Sequence, residues 1–267
     1  MKVVICGPVK NCGPYLPRVL SNMHALGTLF EKYVIIISSD RSVDNSIAIL
    51  RRHRDANPAT VVLLEHNGVM SPYRTHNISR ARNSCLDYAN THYGSHEYMI
   101  MMDCDDVNCK RLNVEPIKRS LAQPWWDSIS FNTVPRYYDI WALSISPYTF
   151  SYNHFPENQK QYVAIQRYIT SLLAKRPIVP CISAFNGFAI YRLSKFRDCR
   201  YNGNFNPKLL PPALLNQHIH AVKSRIIIKN YGNVNGAHED CEHRAFHVSA
   251  IQKHRARNFI SREVVFY

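Results

Sequence analysis

The chain has 267 residues, 46% of them hydrophobic and 11% aromatic, which is enough for a sizeable core and too apolar for a disordered segment. With 33 Lys and Arg against 19 Asp and Glu the net charge is +14, a balance that favours anionic partners such as nucleotide phosphates. No apolar run approaches the roughly 20 residues that cross a bilayer, and the first run, Val3-Val4-Ile5-Cys6, is too short for a signal peptide, so a cytoplasmic protein is expected.

The basic residues are scattered, apart from Arg51-Arg52-His53-Arg54 and Lys253-His254-Arg255-Ala256-Arg257, and no nucleic-acid-binding motif stands among them. Nucleic acid is therefore disfavoured as the partner. Cysteines at 6, 12, 85, 104, 109, 181, 199 and 241 form no Cys-x-x-Cys pair, which argues against a zinc ribbon or a thioredoxin-type site and for free thiols in a reducing compartment.

In chain order, residues 2–6 predict a strand, and Gly7-Pro8-Val9-Lys10-Asn11-Cys12-Gly13-Pro14 marks the loop after it. Pro17 suits a first helical turn, Leu16, Leu20, Met23 and Leu26 recur at helical spacing, and Gly27 suits the C-cap. A β-branched strand over 33–39 ends in Asp40-Arg41-Ser42-Val43-Asp44, whose polar groups suit the start of a helix running to about 52. A third strand covers 61–64, a helix 80–90, and a strand 98–102. That last strand runs into Asp103-Cys104-Asp105-Asp106, three carboxylates in four residues. Like charges packed at a strand end are costly unless a cation neutralises them, and hard divalent cations prefer carboxylate oxygens. A solvated Asp-rich turn is the plainer alternative.

Beyond Asp106, strands are predicted over 125–132, 184–192 and 226–228, an aromatic stretch over 137–155, a loop at Leu209-Leu210-Pro211-Pro212, and a polar helix start over 238–247. Strands alternating with helices imply a mostly parallel sheet, with ligands beyond the carboxyl ends of its strands. Asn11, Asp40 and Asp103 all fall just after strands, so one edge gathers them.

These signals together resemble the GT-A-fold glycosyltransferases, particularly the large family two. Val9-Lys10-Asn11 is similar to the family's opening loop, Asp40-Arg41-Ser42-Val43-Asp44 to its D-x-S-x-D element, Ala81-Arg82-Asn83 to its A-R-N, and Asp103-Cys104-Asp105-Asp106 to its D-x-D signature. The match covers roughly residues 2–110. Further on, Asn186-Gly187-Phe188-Ala189-Ile190-Tyr191-Arg192 and Glu239-Asp240-Cys241-Glu242-His243 resemble the acceptor-side strand and the acidic element more loosely. The modest size and the run Tyr137-Tyr138-Asp139-Ile140-Trp141-Ala142-Leu143 resemble glycosyltransferases of large DNA viruses.

The resemblance implies an α/β, Rossmann-like αβα sandwich in one domain, with residues 1–110 handling the nucleotide and 111–267 the acceptor. It implies transfer from a UDP- or GDP-linked sugar to a glycan or glycoprotein, with Mn²⁺ or Mg²⁺ held by Asp103 and Asp105 and with His243 as a further ligand. Val9, Asn11, Asp40, Arg80, Arg82, Asn83, Asp103 and Cys104 would meet the nucleotide sugar, Arg82 through the diphosphate. Asp240 or Glu242 would be the general base. Trp141, Asn186 and Gly187 would meet the acceptor, and Tyr138 and Trp126 would offer further stacking faces, although tryptophans are core residues more often than platforms. Two other functions stay open. One is a sugar-1-phosphate nucleotidyltransferase, which the absence of a Gly-rich loop after the first strand disfavours. The other is a non-catalytic carbohydrate- or nucleic-acid-binding protein.

Overall fold

Lys2–Val9 (β1) sits inside the sheet because its side chains find apolar cover on both faces. It is followed by α1 (Leu16–Gly27), β2 (Lys32–Asp40), α2 (Ser46–Ala56), β3 (Val61–His66), α3 (Arg74–Tyr93) and β4 (Tyr98–Met102). The second half adds α4 (Glu115–Leu121), β5 (Ser128–Asn132), α5 (Asn158–Lys175), β6 (Ile178–Cys181), β7 (Phe188–Arg192), α6 (Pro212–Val222), α7 (Glu242–His254) and β8 (Asn258–Val264). This computed structural model describes residues 1–227 and 239–267. His238 and Ile228, at the edges of two predicted elements, lie outside the described residues.

The eight strands form one sheet in the order β3-β2-β1-β4-β7-β5-β8-β6. The β1/β2, β2/β3, β1/β4 and β5/β8 pairings are parallel, and β7 enters antiparallel between β4 and β5. Val3 and Ile5 pack with Leu16, Val19, Leu20 and Met23 of α1, while Val4 and Cys6 on the other face pack with Cys85, Leu86 and Ala89 of α3 and Phe246 of α7. The result is an αβα sandwich. A strand covered on both faces reads as an unbroken apolar run, as β4 does with all five residues buried. Truncating one of its methionines to alanine costs about 2–5 kcal/mol.

Several elements depart from the sequence expectation. Gly27 closes α1 without a left-handed cap; an added Cβ there would meet Tyr33 at 2.4 Å, so close packing is what requires glycine. The helix expected at 80–90 begins at Arg74, and its first turn has no local side-chain cap. Glu239 supplies one from a distant segment, its Oε2 accepting both the N–H and the hydroxyl of Thr75 at 2.8 Å. β7 starts only at Phe188, and Ile226 and Ile227 form no strand. α4, α5, α6, β6 and β8 were not anticipated. No helix among the described residues is long and apolar enough to cross a membrane.

Candidate functional site

A cavity of about 680 Å³ is lined by residues at the carboxyl ends of β1, β2 and β4. Two loops are joined to form its rim. Asn11, in the left-handed region at φ 54°, gives its N–H to Ser42 Oγ at 3.0 Å and accepts the Val43 N–H at 2.8 Å. The Cys12 N–H donates to Ser46 Oγ and the Gly13 N–H to Asp44 Oδ2. The polar run after β2 therefore works as scaffold for the loop after β1. Asp40, buried at the tip of β2, lines the cavity and accepts from Arg80 Nη2 at 2.9 Å.

The acidic turn after β4 is held from behind. Asn108 Nδ2 donates to the carbonyls of Asp103 and Gly187, and the Asp103 N–H donates to Gly187 O at 2.9 Å. Gly187 takes φ 83°, and an added Cβ would lie 2.7 Å from Tyr138 Oη and 3.0 Å from Val107. Asp103 and Asp105 both line the cavity, whereas Asp106 turns out to solvent. Burial, then the neighbouring Asp103 charge, pushes the Asp105 carboxyl up to about 7, against the Val107 N–H that it accepts. Burial also raises Asp103, opposed by Arg82. Buried Cys104 lies against Gly7, where an added Cβ would meet its sulfur at 2.5 Å.

Arg82 is the hub behind these carboxylates. Only 3% exposed, it donates through Nη2 to Asp103 Oδ1 at 2.8 Å and through Nη1 to His243 Nε2 at 2.5 Å. Its Nε stands 3.2 Å from Glu242 Oε1, close enough for an ion pair but without hydrogen-bond alignment. Its guanidinium lies 4.4 Å from the centre of the Phe185 ring. Burial works against the Arg82 charge, but Asp103 and Glu242 outweigh it, so its affinity for the proton rises. Burial raises Glu242 in turn, with Arg82 opposing.

Of the residues expected from sequence, Val9, Asn11, Asp40, Arg82, Asp103, Cys104, Asp105, Tyr138, Trp141, Glu242 and His243 line this cavity. The others serve it from outside. Arg80 holds Asp40 and the Val69 carbonyl. Asn83 pairs both ways with the Tyr201 backbone. Asp240 is buried against Arg244, whose Nε donates to it at 2.9 Å, and that arginine also ties down the carbonyls of Trp141 and Leu143. Asn186 has φ 57°; its Oδ1 accepts the N–H groups of Tyr138 and Asp139, and its Nδ2 donates to Phe131 O. Trp126 is fully buried, its Nε1 bound to Ser120 O.

Two assignments need correction. His243 offers Nε2 to Arg82, so that lone pair faces a cation, and burial followed by Arg82 holds its pKa well below the usual range. A metal role does not suit it. Arg82 is committed to His243, Asp103 and Glu242, whereas Arg74 and Lys10 line the cavity with no ion pair or side-chain hydrogen bond to a described residue. Asp139 was missed. It lines the cavity, accepts from the Ala142 and Asn186 N–H groups, and is raised first by burial. Its place depends on Asn186, 47 residues away, which no local pattern announces.

A family model described as Glycosyl transferase family 2 matches residues 4–196. The chain belongs to glycosyl transferase family 2. The family match takes in the acidic turn and Gly187 but stops before Glu242 and His243. The GT-A fold is shared with TarS of S. aureus at 14% identity and TM-score 0.52, covering 100% of this chain and 36% of that one. TarS 1-349 aligns at 16% identity and TM-score 0.44 over 90% of this chain and 60% of that one. The mannosyltransferase PcManGT of Pyrobaculum calidifontis, in complex with GDP-Man and Mn²⁺, aligns at 16% and 0.44 over 75% and 47%. The chain thus spans less than two thirds of each of these relatives. No curated protein matches it by sequence.

Proposed function

We propose that this family-two chain transfers a sugar from a UDP- or GDP-linked donor to a hydroxyl of a glycan or glycoprotein. The observation that carries the proposal is one cavity in which carboxylates without a cation of their own, a buried Arg82–Glu242 pair and the unpaired Arg74 and Lys10 meet at the carboxyl edge of the sheet. Residues 1–110 supply the nucleotide side and 111–267 the acceptor side.

Asp103 and Asp105 fit a hard divalent ion: both are oxygen donors lining one cavity, and Asp105 has no ion pair to a described residue. When bound there, Mn²⁺ or Mg²⁺ supplies charge stabilisation to the departing diphosphate. Arg74 and Lys10 bind phosphate oxygens from the cavity wall, and Asp40 accepts from the nucleoside. Arg82 keeps Asp103 and Glu242 in place without touching the donor. Glu242, the member of the acidic element that lines the cavity, takes the proton of the acceptor hydroxyl as the new carbon–oxygen bond forms and the bond to the diphosphate breaks. A single displacement of this kind inverts the anomeric centre. Asp139 is the competing base, because it also lines the cavity and has no cation partner.

Screening UDP- and GDP-linked sugars for transfer or slow hydrolysis tests the activity. Glu242→Gln is expected to lower turnover about 10²–10⁴-fold while the protein still binds nucleotide. A full effect from Asp139→Asn with none from Glu242→Gln would transfer the base role to Asp139. If no nucleotide sugar is turned over, the enzymatic assignment fails.

A further inference from the structure

Away from the cavity, the segment after β7 and the last turn of α7 bring together three side chains of zinc-binding chemistry. Asp198 Oδ1 lies 2.6 Å from His254 Nε2 and 3.8 Å from Cys199 Sγ, and one ligand atom from each residue falls within a 4.8 Å span. We propose that Asp198, Cys199 and His254 form a zinc site that ties the end of α7 to the segment after β7.

The donor set suits that metal. Zinc takes thiolate, imidazole and carboxylate ligands in a tetrahedron, with water able to fill a fourth position. Bonds of about 2.0–2.3 Å in a tetrahedron separate the donor atoms by roughly 3.3–3.8 Å. The present separations, 2.6 Å between Asp198 Oδ1 and His254 Nε2 and 3.8 Å between Asp198 Oδ1 and Cys199 Sγ, bracket that range. One carboxylate and one thiolate also balance the charge of the ion.

The ligands stand on fixed backbone. Lys253 Nζ donates to Asp198 O at 2.7 Å and Lys195 Nζ to His254 O at 3.1 Å, so each ligand-bearing segment is pinned by a lysine from the other side. Cys199 is buried and shielded from bulk oxidant, whereas Asp198 and His254 are half open, 51% and 30% exposed at the side chain, and give the ion its entry. The Lys253 ammonium, 3.8 Å from Asp198 Oδ2, opposes a cation. It is nearly half exposed and tethered to a carbonyl; burial raises the Cys199 thiol, with the Lys253 charge opposing that rise. The rival is a plain Asp198–His254 ion pair with Cys199 as a buried thiol. None of the three residues lines the catalytic cavity, so the site stands or falls apart from the proposed activity.

The test is metal analysis of the full chain purified without chelator, followed by exchange with Co²⁺. One equivalent of zinc, a thiolate-to-cobalt charge-transfer band, and loss of both in Cys199→Ser and His254→Ala are expected. Cys12, Cys104 and Cys241 line the cavity, so the loss of the band in Cys199→Ser is what assigns it to this site. His254→Ala is the control for folding, since it disturbs only a half-exposed helix end. Added zinc is expected to raise the melting temperature of the parent chain and not of the variants. Absence of zinc and of the cobalt band from the folded parent chain, or a band that survives in Cys199→Ser, overturns the proposal.

Discussion

Arg82→Met removes the guanidinium but keeps an unbranched stem against Phe185. In the structure that guanidinium is the cation shared by Asp103 at 2.8 Å and Glu242 at 3.2 Å, with Arg82 itself only 3% exposed. Removing one partner of a buried ion pair costs about 3–5 kcal/mol, and the 23% exposure of the Asp103 side chain moves the expectation to about 3 kcal/mol. The loss depends on pH. Burial raises both carboxylates and Arg82 opposes that rise, so in the variant their folded pKa values climb further above the unfolded ones. Acids raised in this way support stability at low pH and lose it as pH increases. Urea unfolding followed by fluorescence of the three tryptophans is therefore expected to show the full deficit at pH 8 and a much smaller one at pH 5. A deficit equal at both values, or larger at pH 5, would mean that Arg82 acts through packing on Phe185 and that its charge is not what holds the two carboxylates.

Asp105→Asn tests the acidic turn in the same terms. With its carboxyl raised to about 7, ionised Asp105 weakens the metal-free fold as pH climbs from the unfolded value toward 7, so the variant is expected to be more stable than the parent at pH 8, on the order of 2–4 kcal/mol, with the difference shrinking toward pH 4. A variant that is no more stable at pH 8 contradicts the raised carboxyl. Gly187→Ala puts a Cβ 2.7 Å from Tyr138 Oη on a backbone at φ 83°, and a loss of about 1–3 kcal/mol by thermal unfolding is expected. Unchanged stability there would show that the clamp behind Asp103 yields easily.

Much of the first half of the site was legible in the sequence because its signals are local. β1, β2 and β4 are apolar runs covered on both faces; β2 ends in Asp40, and Lys10 and Asp103 directly follow β1 and β4, each reaching the cavity. What the sequence hid is set by contacts between distant segments. Arg82 looks free for phosphate until His243, 161 residues on, takes one of its nitrogens. The start of α3 has no cap of its own because Glu239, 164 residues on, provides it. Asp240 and Glu242 are equivalent candidates on paper. Arg244 then draws Asp240 into an ion pair outside the cavity, and the first turn of α7 leaves Glu242 lining it. The period of Ile165, Ile169 and Leu173, which bury the inner face of α5, is masked by the polar and aromatic residues between them.

The most direct test of the central claim is calorimetric titration of UDP and GDP into the chain and into Asp105→Ala, with and without Mn²⁺. Tighter binding of at least one nucleotide with the metal, by about tenfold or more, and loss of that gain in Asp105→Ala are expected. Equal affinity with and without Mn²⁺, or a gain that persists in Asp105→Ala, would contradict a metal-bridged diphosphate at the end of β4.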